Sequence, residues 1–247
     1  MRALTMLGLC AGAGLLLPSF AARHSASTVS ARAPIDPAAR WPVRFETNRG
    51  QSRRPAAFLG AAGGQEWRFR LGSVEVDAPA TAEASGPIRI TWVDASPFRL
   101  EPLEPLPVLS HYAADSTSAS WTRDVPNFGA LYYRRVYRGV DVRFFGTAGR
   151  LAHEFRVAEG ADPRQIRMRF DGASALHVEG GALRIERREG TALVFAPPVA
   201  HQEAGAARSE VGASYRLDER RHDVAFDLGA YDRARPLTIG VPGPFPR

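Results

Sequence analysis

The sequence contains no lysine and only two asparagines, Asn48 and Asn127, so all 32 of its basic residues are arginine. Such a bias is typical of a GC-rich genome. The replacement of lysine by arginine therefore does not indicate phosphate or guanine recognition, although arginine is well suited to both.

Blocks of like charge are also missing. The formal net charge is +6, but arginines alternate with acids, as in the stretch 184–189, and no run of five or more like charges occurs. A nucleic-acid-binding protein is expected to carry a basic stripe, so we expect no nucleic-acid partner. An anionic glycan remains compatible with the positive balance.

Cysteine occurs once, at Cys10, inside an apolar run that spans residues 4–17. Arg2 precedes this run, and Pro18 with several small residues follows it, which is the layout of a secretory signal peptide. We therefore predict a signal peptide over residues 1–21, with cleavage before Ala22. The run is shorter than the roughly 20 apolar residues of a membrane span, but retention as an uncleaved anchor stays open.

Export has two consequences for the rest of the chain. After cleavage no thiol remains, so we expect neither disulfides nor thiolate metal sites. We also expect a secreted, periplasmic or cell-surface location with no membrane span. Residues 22–42 are rich in serine, alanine and proline without periodicity, and they predict a disordered lead.

From residue 43 onward, short runs alternate polar and apolar residues with a period of two, and turn residues separate them. These runs lie at 66–71, 73–76, 88–93, 140–145, 151–157, 166–170, 175–178, 183–185, 192–195, 214–217 and 224–228. The alternation is typical of half-buried antiparallel strands, and their close spacing favours a sandwich over βαβ units. No segment sustains a helical pattern, apart from one possible turn with Pro163 in its first position.

We therefore predict an all-β domain over residues 43–240, folded as an antiparallel β-sandwich, either as two packed sub-sheets or as one large super-sandwich. Residues 241–247 are predicted to be a tail. Residues 94–120 are rich in proline, serine and alanine. They predict either an internal linker between two sub-sheets or a long surface loop.

The register of one hairpin follows from charge. Pairing strand 140–146 with strand 151–157 so that Gly146 faces Leu151 sets Arg143 against Glu154 and Asp141 against Arg156. A shift by two residues would oppose Asp141 and Glu154. Opposite-charge cross-strand pairs are favoured by roughly 0.2–1 kcal/mol each, so the first register is predicted.

Six motifs in order resemble the uncharacterised N-terminal domain that precedes SBBP-type β-propeller repeats in secreted bacterial proteins. They are residues 45–51, 121–126, 137–142, 154–163, 198–202 and 231–239. The resemblance implies export, a β-rich fold and a cell-surface or extracellular setting, and it brings no established activity with it. In that family the last motif usually continues into propeller blades, whereas here Ile239 leads into Gly240, Val241 and Pro242.

Motifs for known chemistry are absent: the sequence has no Gly-x-Ser-x-Gly, Walker loop, His-Glu-x-x-His or Gly-x-Gly-x-x-Gly. His153 is interpreted as a core histidine, and His177 with Glu179 lacks a third ligand, so we expect no metal and no cofactor. Asp141 and Glu154 are the best catalytic carboxylates for glycoside hydrolysis. Their predicted arginine partners make them poor proton donors.

Four residues are candidates for ligand binding. Asn48, Arg49 and Gln51 form a polar cluster around Gly50, which is either a ligand-contacting loop or a simple turn. Trp121, like Tyr132, Tyr133 and Tyr137, would either stack on a sugar ring or belong to the core.

These observations favour an exported, non-enzymatic β-sandwich module that contacts another exported protein or a glycan. The alternative is a carbohydrate-active enzyme of the glycoside-hydrolase type, which a deep cleft with two unpaired carboxylates would favour. A third hypothesis is a folding or export companion for a separately encoded propeller.

Overall fold

The computed structural model describes residues 43–78, 86–113, 121–147, 149–190, 192–205 and 207–243. The predicted signal peptide (1–21) and disordered lead (22–42) lie outside these residues, as does residue 244 onward. Within the described part, the regular structure is strand, apart from one 3-10 turn at Pro163–Gln165. Pro163 occupies an opening position of that turn and the Asp162 side chain caps it, as the sequence predicts.

The strands of the first half of the chain include one long hairpin. They are β1 (Phe45–Thr47), β2 (Phe58–Ala62), β3 (Gln65–Arg70), β4 (Ser73–Val76), β5 (Ile88–Trp92), β6 (Arg99–Ala113), β7 (Trp121–Tyr137), β8 (Val140–Thr147) and β9 (Arg150–Val157).

The strands of the second half are shorter. They are β10 (Met168–Asp171), β11 (Ala175–Glu179), β12 (Ala182–Glu186), β13 (Leu193–Phe195), β14 (Val199–Ala204), β15 (Ala207–Val211), β16 (Ala213–Asp218), β17 (Asp223–Leu228) and β18 (Leu237–Val241). The last strand therefore extends one residue into the predicted tail.

Alternation of apolar and polar side chains explains why these segments are strands. In β5, Ile88, Ile90 and Trp92 are buried, while Arg89 between them is exposed. In β8, Val140, Val142 and Phe144 are buried, and the residues between them are partly exposed. Because successive side chains point to opposite faces, each such strand has one face to bury against another layer.

The strands form two antiparallel sheets. The large sheet has the order β15-β14-β18-β9-β8-β7-β1-β2-β3-β4-β5-β10-β17-β16, with β6 paired to the free side of β7, and the small sheet has the order β11-β12-β13. The described residues belong to a single compact unit.

The large sheet folds back on itself. Phe69 on β3 lies edge-on to Phe144 on β8, with ring centroids 5.2 Å apart. Phe155 on β9 contacts Phe226 on β17 at 5.5 Å, although these strands are far apart in the sheet order. Two halves of one sheet therefore face each other across an aromatic core, which confirms the predicted antiparallel β-sandwich.

The predicted register of the β8–β9 hairpin is confirmed. Gly146 faces Leu151, Arg143 faces Glu154 and Asp141 faces Arg156. The ion pairs differ in one respect from the prediction, because Arg156 bonds Glu154 of its own strand at 2.8 Å. Asp141 instead pairs with Arg134 of β7 at 3.0 Å. A third strand thus supplies the cation that the hairpin alone was expected to supply.

The interpretation of residues 94–120 as a linker or loop is wrong for most of that range. Residues 99–113 form β6, which pairs along β7. Among the described residues β6 has no partner on its other side. Proline, which lacks a backbone N–H, is tolerated at such an edge, so Pro102, Pro105 and Pro107 do not prevent a strand here.

His153 lies in the aromatic core. It is 5% exposed, stacks on Phe144 at 5.2 Å and meets Phe155 and Phe195 edge-on. Its Nε2 is buried and has no hydrogen-bond partner among the described residues. Burial lowers the pKa of His153 from its ordinary 6.5 to about 3, because a protonated imidazole would lose its hydration in this core.

Acid should therefore destabilise the protein through His153. Between pH 6.5 and about 3 the unfolded chain binds a proton on this residue and the folded chain does not. The free energy of unfolding should then fall by about 1.4 kcal/mol for each pH unit lost in this window. Urea unfolding of the wild type and of His153→Leu at pH 7, 6, 5 and 4 measures the difference in slope. His177→Leu, at an exposed histidine, is the control; equal slopes for wild type and His153→Leu would contradict the argument.

Candidate functional site

An open cleft of about 600 Å³ lies beside the β2–β3 hairpin, and we call it the hairpin cleft. Residues 59–66 of the hairpin form its floor. Six further residues form its walls: Arg44, Glu46, Gln51, Ser52, Tyr112 and Gly149. They come from β1, the β1–β2 loop, β6 and the β8–β9 turn, so tertiary packing assembles the cleft.

The floor consists largely of glycine and alanine, which leaves the backbone accessible to a ligand. Gly60 packs directly over the core, and a Cβ at this position would lie 3.3 Å from the rings of Phe45 and Phe69. Gly63 and Gly64 have φ values of 60° and 73° in the turn, a conformation that favours glycine. The floor of the cleft therefore carries few large side chains.

Glu46 and Tyr112 form one wall of the hairpin cleft. The Tyr112 hydroxyl donates a hydrogen bond to Glu46 Oε1. Burial, together with the neighbouring Glu46 carboxylate, raises the pKa of Tyr112 to about 12, so the hydroxyl stays protonated as a donor. Glu46 Oε2 is buried and has no hydrogen-bond partner among the described residues.

The polar cluster of the β1–β2 loop is mainly a turn. Asn48 Oδ1 accepts hydrogen bonds from the backbone N–H of Gly50 at 3.1 Å and of Ser52 at 3.4 Å. Gly50 has a φ of 105°, as a turn interpretation requires. Asn48 Nδ2 donates to the carbonyl of Ala56, so this side chain fixes the loop and does not line the cleft.

Arg49 and Gln51 have different environments. Arg49 is exposed, and its Nη1 donates to the carbonyl of Asp124 at 3.1 Å, which ties the loop to β7. Gln51 lines the cleft, but its amide donates to the carbonyl of Thr47 at 2.7 Å and accepts from the N–H of Arg49 at 2.6 Å. Of the predicted binding residues, Gln51 alone lies among the cleft residues.

Trp121 begins β7 and is 42% exposed; it faces Ala113 on β6 and is not among the residues that line the cleft. Arg123 lies over its indole ring at 4.6 Å. The other candidates for stacking on a sugar ring are buried, so they are core residues. They are Tyr132, Tyr133 and Tyr137. The exposed aromatic side chain of the cleft is Tyr112, which the sequence analysis did not identify.

Asn127 fixes the ribbon that carries Tyr112. Its Nδ2 lies 3.0–3.2 Å from three acceptors: Ser110 Oγ and the carbonyls of Val108 and Val125. The pairing of β6 with β7 is irregular here, with register shifts between Pro105 and Leu109. The buried amide therefore replaces ladder hydrogen bonds that the irregular pairing interrupts.

Removing this amide should destabilise the fold. Asn127→Ala leaves the Ser110 hydroxyl and two carbonyls without their donor, so we expect a loss of about 1–3 kcal/mol in the free energy of unfolding. Chemical denaturation measures it, with the exposed Ser209→Ala on β15 as the matched polar-to-alanine control. A loss no greater than that of the control would show that water replaces the amide at no cost.

The carboxylates that could perform chemistry are divided between two places. Glu46 and Glu66 line the hairpin cleft, and Glu66 Oε1 lies 3.5 Å from Arg68 Nη1. Asp141 lies in a second, shallower cleft of about 440 Å³. Asp141 accepts from Arg134 and from the N–H of Arg135, and Glu154 is paired with Arg156.

Metal ligands do not converge in the part of the chain that the structure describes: no group of three or more His, Cys, Asp or Glu residues is placed to hold an ion. His177 faces Arg184 on the neighbouring strand β12. Across these same residues, no helix reaches the length and apolar character of a membrane span.

The fold and this site define an antiparallel β-sandwich protein with an open polar cleft at one hairpin. The family described as Domain of unknown function (DUF7948) matches residues 45–240, and the chain belongs to that family. Comparison with curated proteins and with solved structures gave no match. The sequence prediction of an uncharacterised β-rich domain is thereby confirmed.

Proposed function

We propose that this protein is an exported, non-enzymatic module that binds a glycan in the hairpin cleft at the cell surface or in the periplasm. The observation that carries the proposal is the cleft itself. Its volume of about 600 Å³ falls within the roughly 300–1,000 Å³ typical of ligand-binding clefts.

The chemistry of the cleft suits a polar, uncharged ligand. Carboxylate, guanidinium and hydroxyl groups surround a floor of glycine and alanine, and the ring of Tyr112 adds an apolar surface. Sugar hydroxyls both donate and accept hydrogen bonds, so they match the carboxylates of Glu46 and Glu66 and the guanidinium of Arg44, which line the cleft. Acids and bases are both present, which gives no preference for an anion.

Export and surface location rest on the N-terminal sequence and on the resemblance to domains that precede SBBP repeats. A binding role is further supported by the engagement of Asp141 and Glu154 with arginines, because paired carboxylates are poor general acids.

The second candidate function is a carbohydrate-active enzyme of the glycoside-hydrolase type. One observation favours it: Glu46 and Glu66 line the same cleft, and Glu46 retains a buried oxygen without a partner among the described residues. Two carboxylates are the minimum for glycoside hydrolysis. Glu66, however, contacts Arg68, so the two acids are not equivalent.

Filling the cleft should abolish binding without unfolding the domain. Ala61 is an exposed residue of the floor, so Ala61→Trp should weaken glycan binding at least tenfold by occupying the ligand's volume. Leu71→Trp is the matched control, because Leu71 is 69% exposed and lies outside the cleft. A glycan array identifies the ligand, and isothermal titration calorimetry then measures each variant.

The enzyme alternative is tested on the same proteins. We expect no turnover of a panel of glycosides by the wild type, and we expect Glu46→Gln to change affinity only. Glycoside hydrolysis that disappears in Glu46→Gln would overturn the non-enzymatic proposal. Equal binding by Ala61→Trp and Leu71→Trp, or no glycan bound at all, would overturn the cleft as the site.

A further inference from the structure

The cleft that contains Asp141 has no part in the function proposed above. Its volume is about 440 Å³, and it is bounded by the start of β8, the end of β9 and parts of β14 and β18. Asp141, Arg156, Glu203 and Thr238 provide polar side chains to its lining. We call this concavity the β18 cleft.

Alternation along the strands places the two clefts on one face of the large sheet. In β8, Val140 and Val142 are buried in the core, so Asp141 between them points outward. In β2, Gly60 packs on the core rings, so its exposed neighbour Ala61, which lines the hairpin cleft, also points outward. Both strands belong to the same sheet. The hairpin cleft and the β18 cleft therefore open on its outer face.

Strand β8 runs from one cleft to the other. Gly139 and Asp141, at its start, line the β18 cleft, and Gly149, in the turn that follows its end, lines the hairpin cleft. The distance along β8 from Asp141 to Thr147 is about 20 Å at roughly 3.3 Å per residue. A single sugar ring is much shorter than this, so a ligand that contacts both clefts must contain several sugar units.

The outer face near β8 carries guanidinium groups that aromatic rings hold in place. Arg143 lies over the ring of Phe145 at 4.6 Å and donates a hydrogen bond to Glu104 of β6 at 2.6 Å. Arg156, which lines the β18 cleft and has a half-exposed side chain, lies 5.4 Å from the ring centroid of Tyr132. Stacked arginines lose less conformational entropy when they donate to a ligand, so this surface is prepared for polar contacts.

The two clefts carry the same kinds of charged group. Each is lined by two carboxylates and one guanidinium, which are Glu46, Glu66 and Arg44 in the hairpin cleft and Asp141, Glu203 and Arg156 in the β18 cleft. A chain of repeated units presents the same hydroxyl groups to both places. Matching donors and acceptors at the two ends of one strand therefore favour a repeating ligand over a ligand with two different ends.

Neighbouring arginines offset the acids of both clefts. Arg68 lies 3.5 Å from Glu66 of the hairpin cleft, and Arg134 lies 3.0 Å from Asp141 of the β18 cleft. Carboxylates and guanidinium groups are thus paired at each cleft. Such a lining suits the hydroxyl groups of an uncharged chain, which both donate and accept hydrogen bonds.

Given glycan binding in the hairpin cleft, on which this inference rests, we propose that the ligand is an extended, uncharged oligosaccharide. It occupies the hairpin cleft and the β18 cleft at once and follows β8 between them. Once one cleft is occupied, binding at the other is intramolecular, so it raises the affinity without changing the first contact. A fragment that fills the hairpin cleft alone lacks this gain.

The dependence of affinity on chain length tests the proposal. The probes are neutral oligosaccharides of two to eight units, in β-1,4-linked glucose, mannose and xylose series and an α-1,4-linked glucose series, measured by isothermal titration calorimetry. In a series that binds, the eight-unit chain should bind at least tenfold more tightly than the two-unit chain. Equal affinity at all lengths would overturn this proposal alone, whereas failure of every series to bind would overturn glycan binding as well.

Filling the β18 cleft separates its contribution from that of the hairpin cleft. Glu203 is exposed and lines the β18 cleft, so Glu203→Trp should remove the tenfold gain of the eight-unit chain. Its two-unit affinity should stay within twofold of the wild type. Glu179→Trp, at an exposed glutamate of the small sheet, is the matched control and should change neither value. Ala61→Trp, in the hairpin cleft, should weaken both lengths.

A gain that persists in Glu203→Trp would show that the chain does not reach the β18 cleft, and the proposal would fall while the hairpin cleft remained a binding site. Thermal melting verifies that Glu203→Trp is folded. If it is not, Thr238→Trp, which fills the same cleft from β18, replaces it in the same titrations.

Backbone amide chemical shifts of the wild type give a readout that needs no variant. During titration with the eight-unit chain, residues 59–66 of the hairpin cleft and residues 236–238 of the β18 cleft should shift with one common apparent Kd, because one molecule contacts both. Shifts confined to residues 59–66, or two different apparent Kd values, would contradict a bridging ligand.

Discussion

The structure depends on the closure of one long antiparallel sheet around a core of aromatic rings. Phe69 contacts both Phe45 and Phe144 edge-on, although the three rings come from three separate strands. Each buried ring contributes roughly 1.5–3 kcal/mol through the hydrophobic effect. The charge pairs on the outer faces contribute about 0.2–1 kcal/mol each, so they select a register and cannot hold the two layers together.

The hairpin cleft follows from the same core. Gly60 lies against the rings of Phe45 and Phe69, where a larger residue would displace them. Gly60 thus serves the packing of the core, while the neighbouring Ala61, which is exposed, lines the cleft. Tyr112 and Glu46 then close one wall from β6 and β1. The same hairpin therefore contributes both to the core and to the cleft.

Polar side chains in the interior hold irregular backbone in place through hydrogen bonds to carbonyl groups. Asn127 bonds two strands where their pairing shifts, and Arg187, only 5% exposed, donates to the carbonyls of Val76 and Asp77. Burial lowers the pKa of Arg187, because its charge meets backbone dipoles and few carboxylates. Such contacts fix the ribbon and loops that surround the cleft.

The amino-acid sequence was sufficient to predict the fold class and the β8–β9 register. Both follow from neighbours in the chain: alternation sets which face is buried, and Asp141, Arg143, Glu154 and Arg156 set the pairing. It did not determine the partner of Asp141, because Arg134 comes from another strand. It also predicted a linker or a long surface loop where β6 forms, because composition alone does not distinguish an edge strand from a loop.

The position of the candidate site depends on the tertiary fold. Glu46, Glu66 and Tyr112 are separated by many residues and meet because the sheet brings β1, β3 and β6 to one cleft. The polar motif that stands out in the sequence, Asn48 to Gln51, satisfies most of its hydrogen bonds within its own turn. Local pattern therefore indicates local structure, whereas a binding surface depends on long-range packing that no single segment contains.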